Sequence, residues 1–201
     1  MIPKIIHHVW VGPKPFPDQE KKFVKSWKDL HKDYDFMFWS DSNIHELDIN
    51  KKCISAMQNA GTMYACKADI VRYIAVNSYG GFYIDTDVEC YRPIDDIFNT
   101  ELQFIGLKPH GGNWITNAFF ASEANSQILN NVISGIHERQ VSVKNPYGPT
   151  YLTRKLLQYL KHKGSVDAIN SKFVKILSPE FWSNKNDKAY CKHYFRASWR
   201  K

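Results

Sequence analysis

The order of the first forty residues constrains this chain most. Residues 4–10 read as a strand, with Ile5, Ile6, Val9 and Trp10 supplying the apolar weight. Gly12-Pro13-Lys14-Pro15-Phe16-Pro17 follows as a loop of breakers. Asp18 stands where a helix N-cap belongs, and Phe23, Trp27 and Leu30 recur at i, i+4 and i+7 on one helical face. Residues 35–39 form a second strand, stopped by Ser40-Asp41-Ser42-Asn43. Two strands joined through a helix pair in parallel, so the expected fold class is α/β.

The rest of the chain continues that pattern. Residues 65–79 read as a helix with Ile70, Tyr73, Ile74 and Asn77 on one stripe, closed by Gly80-Gly81. A strand is expected over 82–88, and further strands over 103–107, 115–121 and 173–177. Helices are expected near 125–139 and after Gly148-Pro149-Thr150, where Leu152, Leu156, Leu157 and Leu160 recur. No repeat, low-complexity tract or dividing linker is visible, so residues 1–201 are expected to form a single domain.

Ile84-Asp85-Thr86-Asp87-Val88 carries the chemistry. On a strand, Asp85 and Asp87 point to one face about 7 Å apart. Two acids beside Phe82, Tyr83, Ile84 and Val88 repel each other and lose hydration, unless a cation sits with them. Magnesium or manganese held by one or two carboxylates keeps positions open for phosphate oxygens. The stretch therefore points to a metal that holds a diphosphate, although a bare D-x-D also occurs in turns and on solvated edges.

Asp69 and Arg72, at i and i+3, share a helical face. They read either as a surface ion pair or as a sheet-edge pair that takes hydroxyls and phosphate oxygens. His7 and His8 point to opposite faces of the first strand and read as structural. His193, in His193-Tyr194-Phe195-Arg196-Ala197-Ser198-Trp199, reads either as an unremarkable lone histidine or as a neutral imidazole that completes a metal shell two aspartates leave open. No Ser-His-Asp or Cys-His arrangement is legible, and the Gly-rich phosphate motifs are absent.

Composition excludes some partners. The net charge of +7 favours anionic ones, but the lysines form no compact stripe, so nucleic acid is not expected. The four cysteines show no C-x-x-C pairing, which leaves no zinc site. With no signal peptide and no long apolar run, the expected location is the cytoplasm, with peripheral contact at the inner face of an anionic membrane left open.

Three blocks then resemble a known family. Pro3-Lys4-Ile5-Ile6-His7-His8-Val9-Trp10, Lys67-Ala68-Asp69-Ile70-Val71-Arg72-Tyr73 and Gly80-Gly81-Phe82-Tyr83-Ile84-Asp85-Thr86-Asp87 are similar to the family 32 glycosyltransferases, whose sugar-binding region contains a DXD motif. Fungal initiating mannosyltransferases and bacterial capsular and lipopolysaccharide transferases are members, and the clostridial glucosylating toxins share the core. The likeness is dense over 1–90. It continues more loosely through Asn117-Ala118-Phe119-Phe120-Ala121, Gly148-Pro149 and the end of the chain.

The resemblance implies a GT-A fold, a Rossmann-like mixed sheet flanked by helices. Residues 1–90 would bind nucleotide-sugar and metal; 91–201 would supply the acceptor side and a segment that covers the donor. It implies a nucleotide-sugar donor (UDP-linked or GDP-linked, UDP favoured), manganese or magnesium, and retention of anomeric configuration. By position, Val9 and Trp10 would hold the base and Tyr83 would line the donor site. Asp69 and Arg72 would contact donor sugar or diphosphate. Asp85 would touch ribose and sugar hydroxyls within reach of the metal, and Asp87 would be its main ligand. His193 or Ser198 would lie near metal and phosphate, with Trp199 at the diphosphate. The acceptor would be a glycan or lipid-linked hydroxyl in capsular or surface polysaccharide synthesis. Two other readings stay open: a two-metal nucleotidyltransferase, which also uses alternating aspartates, and a non-catalytic carbohydrate- or nucleotide-binding module.

Overall fold

The structure, a computed structural model, describes residues 1–137, 146–183 and 188–196. The opening is β1 (Ile5–Trp10), α1 (Asp18–Leu30) and β2 (Asp35–Ser40), with β1 and β2 parallel and in register from Ile5↔Asp35 to Trp10↔Ser40. Then come α2 (Lys51–Asn59), α3 (Tyr64–Tyr79), β3 (Gly81–Ile84) and β4 (Val88–Cys90). The remainder is β5 (Phe104–Leu107), β6 (Thr116–Ser122), α4 (Gln127–Ser134), α5 (Pro149–Tyr159), β7 (Val174–Leu177) and β8 (Cys191–His193).

Six strands form one sheet in the order β2-β1-β3-β6-β5-β7, and among the described residues β6 alone runs against its neighbours. The strands alternate between two cores, as a period of two requires. Val9, Tyr83 and Phe120 face the α2–α5 layer with Ile70, Tyr73, Leu129 and Leu152. Ile6, Phe82, Ile84 and Phe119 face Trp27 of α1 together with Val88, Cys90 and Cys191. A mixed sheet flanked by helices is therefore the fold, as the α/β pattern requires.

The connections locate the site. From β1 the chain crosses by α1 on one face to β2, then returns by α2 and α3 on the other face to β3. β1 and β3 are parallel neighbours whose chains lead in opposite directions along the sheet, to β2 on one side and towards β5 and β6 on the other, and such a reversal of strand order opens a crevice beyond their carboxyl ends. Trp10 and Ile84 are those ends.

Several expectations are corrected. The strand expected over 82–88 stops at Ile84. The Asp85 amide donates to Ala118 O (2.8 Å) and Val88 N to Asp85 O (3.2 Å), so Asp85-Thr86-Asp87 is a turn and not the face of a strand. Val88–Cys90 pairs instead with β8, a short strand that periodicity had no length to reveal. Asp18 is the first helical residue; Pro17 holds the cap position, with no side-chain cap bond, and Asp18 pairs with Lys21. Leu30 is exposed, because α1 ends there. The helix over 64–79 is buried on all sides from Asp69 to Val76, since it runs between the sheet and the other helices, while Asn77 is half-buried. The helix expected to reach 139 ends at Ser134, turned off by Gly135. α2 is an element without a sequence signal: it buries only Cys53 and Ala56, too few apolar positions to show a period.

His7 and His8 are structural. Trp39 Nε1 donates to His7 Nδ1 (3.0 Å), so His7 Nε2–H donates to Gly80 O (2.8 Å). His8 Nδ1 bonds Ile84 O (2.8 Å). Burial pushes both rings down to about 4, and they stay neutral.

Candidate active site

A cleft of about 430 Å³ opens beyond β1 and β3. Val9 and Trp10 line it, with the 11–14 loop and Tyr64 of α3. Asp85, Asp87 and His193, taken as its floor, line it too, as do Asp69, Arg72, Asn117, Trp114 and Pro149. The loop closes tightly: Gly12 has φ +111° and lies so close to the Tyr64 ring that a Cβ would stand 2.8 Å from it. Trp10 is fixed by its Nε1–H to Lys14 O (2.8 Å), with its ring against Phe16. This leaves an indole at the mouth of a cleft, a surface on which a planar base stacks.

Local pairing makes the floor. In the β4–β8 ladder Val88 stands opposite His193, and Tyr194 N donates to Asp87 O (3.0 Å). The ladder therefore carries a histidine from the end of the chain to the acidic turn. His193 Nε2 lies 3.1 Å from Asp87 Oδ1, and the Arg196 amide donates to Asp87 Oδ2 (2.8 Å). Burial pushes the Asp87 carboxyl up, but the His193 ring and the Arg196 amide outweigh it and hold it below the usual range. It is a carboxylate at neutral pH.

Asp85, Asp87 and His193 each offer a ligand atom, all within 4.8 Å of one another. His193 Nδ1 is buried and has no hydrogen-bond partner among the described residues. Two carboxylates with one imidazole suit manganese or magnesium, and the set is protein-poor enough to leave positions for phosphate oxygens. The residues fit such an ion.

Asp69 and Arg72 are no surface pair. Their side chains are 4% and 7% exposed. Arg72 Nη2 lies 3.0 Å from Asp69 Oδ1 and Nη1 3.1 Å from Asp85 Oδ1; Nη1 also donates to Asn117 O (2.8 Å) and Nε to Ala68 O (3.3 Å). The guanidinium rests over the Tyr83 ring (4.4 Å), whose hydroxyl donates to Asp85 Oδ1 (2.6 Å). Arg72 thus brackets two acids and stays charged, because those carboxylates outweigh its burial. Asp69 is pushed up to about 6 by burial, which Arg72 only partly offsets. Its Oδ1 accepts from Asn117 Nδ2 (2.7 Å); its Oδ2 is buried and lacks a hydrogen-bond partner among the described residues, while Asp69 as a residue lines the cleft. A buried acceptor in that state calls for a hydroxyl donor.

The structure thus brings Val9, Trp10, Asp69, Arg72, Tyr83, Asp85, Asp87 and His193 to one cleft. Tyr83 lies beneath the floor, acting on Asp85. Ser198 and Trp199 lie outside the described residues. Asn117, which the sequence places only in a strand and in the looser part of the resemblance, joins the cleft residues. An asparagine in the apolar run 115–121 is the signal that finds it, because a buried amide needs partners.

The family described as "Glycosyltransferase sugar-binding region containing DXD motif" matches residues 17–103. Inositol phosphoceramide mannosyltransferase 3 of Schizosaccharomyces pombe is 27% identical over 206 residues, 98% of this chain and 56% of that protein. The uncharacterized glycosyltransferase L373 of Acanthamoeba polyphaga mimivirus is 24% identical over 184 residues, 87% of this chain and 73% of that protein. The chain spans just over half the length of the first of these relatives. Among solved structures, the PaToxG glycosyltransferase superimposes with a TM-score of 0.65 at 21% identity, over 80% of this chain and 70% of that one. A glycosyltransferase involved in the glycosylation of the major capsid of PBCV-1 does so with 0.53 at 13%, over 96% and 95%. At these identities the two structures speak to the fold, which is GT-A.

Proposed function

We propose that this chain, a glycosyltransferase of the DXD family, uses a divalent cation to move a hexose from a nucleoside-diphosphate sugar to a hydroxyl of a glycan or lipid-linked acceptor. The observation that carries this reading is the convergence of Asp85, Asp87 and His193 within 4.8 Å on the floor of the switch-point cleft, between an indole and a buried carboxylate.

Trp10 and Val9 take the base. Asp85 and Asp87, with His193, hold the cation at the diphosphate. A manganese or magnesium ion bound there supplies Lewis-acid stabilisation of charge on the departing diphosphate. Arg72 fixes Asp69 and Asp85 in place, and Asp69 Oδ2 accepts from a sugar hydroxyl. The acids on the cleft wall are committed, Asp69 and Asp85 to Arg72 and Asp87 to His193 and the Arg196 amide. That favours retention by front-face attack over a glycosyl-enzyme intermediate; a trapped adduct in the intact mass would overturn it.

The relatives' names put mannose first among donor sugars and a phosphoinositol lipid first among acceptors. A capsular or surface glycan is the wider product class. No described helix is long and apolar enough to cross a membrane, and the +7 charge suits peripheral work at an anionic, cytoplasmic membrane face. The test is a panel of UDP- and GDP-linked sugars with and without manganese, read as released nucleoside diphosphate. One or two donors turning over only with metal is the expected result. Turnover of none, or metal-independent turnover, counts against the reading. Nucleoside triphosphate turnover in their place would favour the nucleotidyltransferase.

A further inference from the structure

Glu20 is out of place as sequence. It occupies the first position of the buried stripe of α1, ahead of Phe23, Val24 and Trp27, and is 0% exposed. An apolar residue there would pack without the desolvation cost of a carboxylate, several kcal/mol in order of magnitude. Its partner lies at the other end of the chain: Arg196 Nε is 2.9 Å from Glu20 Oε1. The first turn of α1 adds the favourable end of the helix dipole.

Arg196 is also the residue whose amide donates to Asp87 Oδ2. Next to it, the Tyr194 ring stacks on Phe23 (4.6 Å), one turn after Glu20, and Tyr194 N donates to Asp87 O. The α1 face therefore grips the strand end that carries His193 at Tyr194 and Arg196, the two residues whose amides meet Asp87.

We infer that Glu20 is a positioning residue of the metal site. Through Arg196 it holds residues 191–196 in the register that sets His193 and the Arg196 amide against Asp87. It touches neither donor nor cation. The inference rests on the proposed metal at Asp85, Asp87 and His193.

Glu20→Leu separates positioning from simple structural pairing. It leaves Arg196, 43% exposed, free to enter water. Removing one partner of a buried pair is costly when the other charge stays buried; here the charge left behind is on the more exposed residue, and the desolvated carboxylate is gone. The expected result is a melting temperature held or raised, while affinity for Mn²⁺ alone, read by EPR of the free ion, falls about 10-fold or more, as for other residues that orient metal ligands. Donor KM should rise in step. Glu20→Gln keeps the shape and the acceptor, so its loss should be smaller; if Glu20→Leu does not fold, Glu20→Gln still reads the effect. Mn²⁺ affinity equal to wild type in whichever variant folds overturns the inference alone. A wild-type chain that binds no Mn²⁺ overturns the metal reading and the inference together.

Discussion

Arg72→Met tests the bracket that organises the site. In the wild-type chain Arg72 lies 3.0 Å from Asp69 and 3.1 Å from Asp85, whose side chains are 4% and 25% exposed. Methionine keeps much of the volume but leaves two neighbouring acids without their cation. Breaking a buried pair in this way costs about 3–5 kcal/mol. For a chain of this size that lowers the melting temperature by about 10–15 °C. Urea unfolding followed by tryptophan fluorescence measures it directly. Two features distinguish the mechanism from mere damage. Asp69→Asn should destabilise the wild type yet restore stability in the Arg72→Met background, because it removes the stranded charge. The loss should also shrink as pH falls. The Asp69 carboxyl is already pushed up to about 6 by burial, with Arg72 restraining it. Without Arg72 it rises further, the folded state takes up the proton before the unfolded one, and acid favours folding. A cost under about 1 kcal/mol, as for an exposed pair, or the same sign for Asp69→Asn in both backgrounds, would refute the reasoning.

Three further outcomes follow from the same geometry. His7 and His8, held to about 4 when folded, take up protons first in the unfolded chain, so their contribution is complete above 6.5 and is lost as pH falls towards 4. Each ring costs about 2 kcal/mol by pH 5, and Asp69, raised to about 6, returns about 1 kcal/mol in that window; a urea midpoint that does not drop between pH 7 and 5 contradicts this. Gly81→Ala should cost about 3 kcal/mol or more, because φ is +99° and a Cβ would stand 2.4 Å from Ile5 O, between β1 and β3; equilibrium unfolding reads it. Trp10→Ala should raise donor KM about 10-fold or more through lost base stacking with little change in melting temperature, and an unchanged KM would remove Trp10 from the nucleotide site.

Much of this was legible in the chain. Strand–helix–strand patterning predicts the parallel β1–β2 pair, and Gly80-Gly81 marks the entry to β3. The acidic pair is visible as a problem of repulsion, although its geometry is not: the acids meet on a turn, because the Asp85 carbonyl accepts from Val88 N and turns the chain out of the strand. Contacts that cross the whole chain were the least legible. Nothing local tells Val88 that it pairs with His193, or Glu20 that it meets Arg196. Short ladders such as β4–β8 carry too few residues for a period, and a lone charge in an apolar stripe reads as noise until its partner is placed. Asn117 lies between these cases: its strand is obvious, and its role needs the Asp69 carboxylate beside it.

The most direct measurement is manganese-dependent hydrolysis of a nucleotide-sugar by wild type and by Asp87→Asn. The substitution keeps size and acceptor but removes the charge at the centre of the Asp85–Asp87–His193 set. The account predicts release of nucleoside diphosphate that needs the metal in the wild type and falls by about 10²-fold or more in the variant, with folding intact. Equal release from both proteins, or release indifferent to metal, would contradict it.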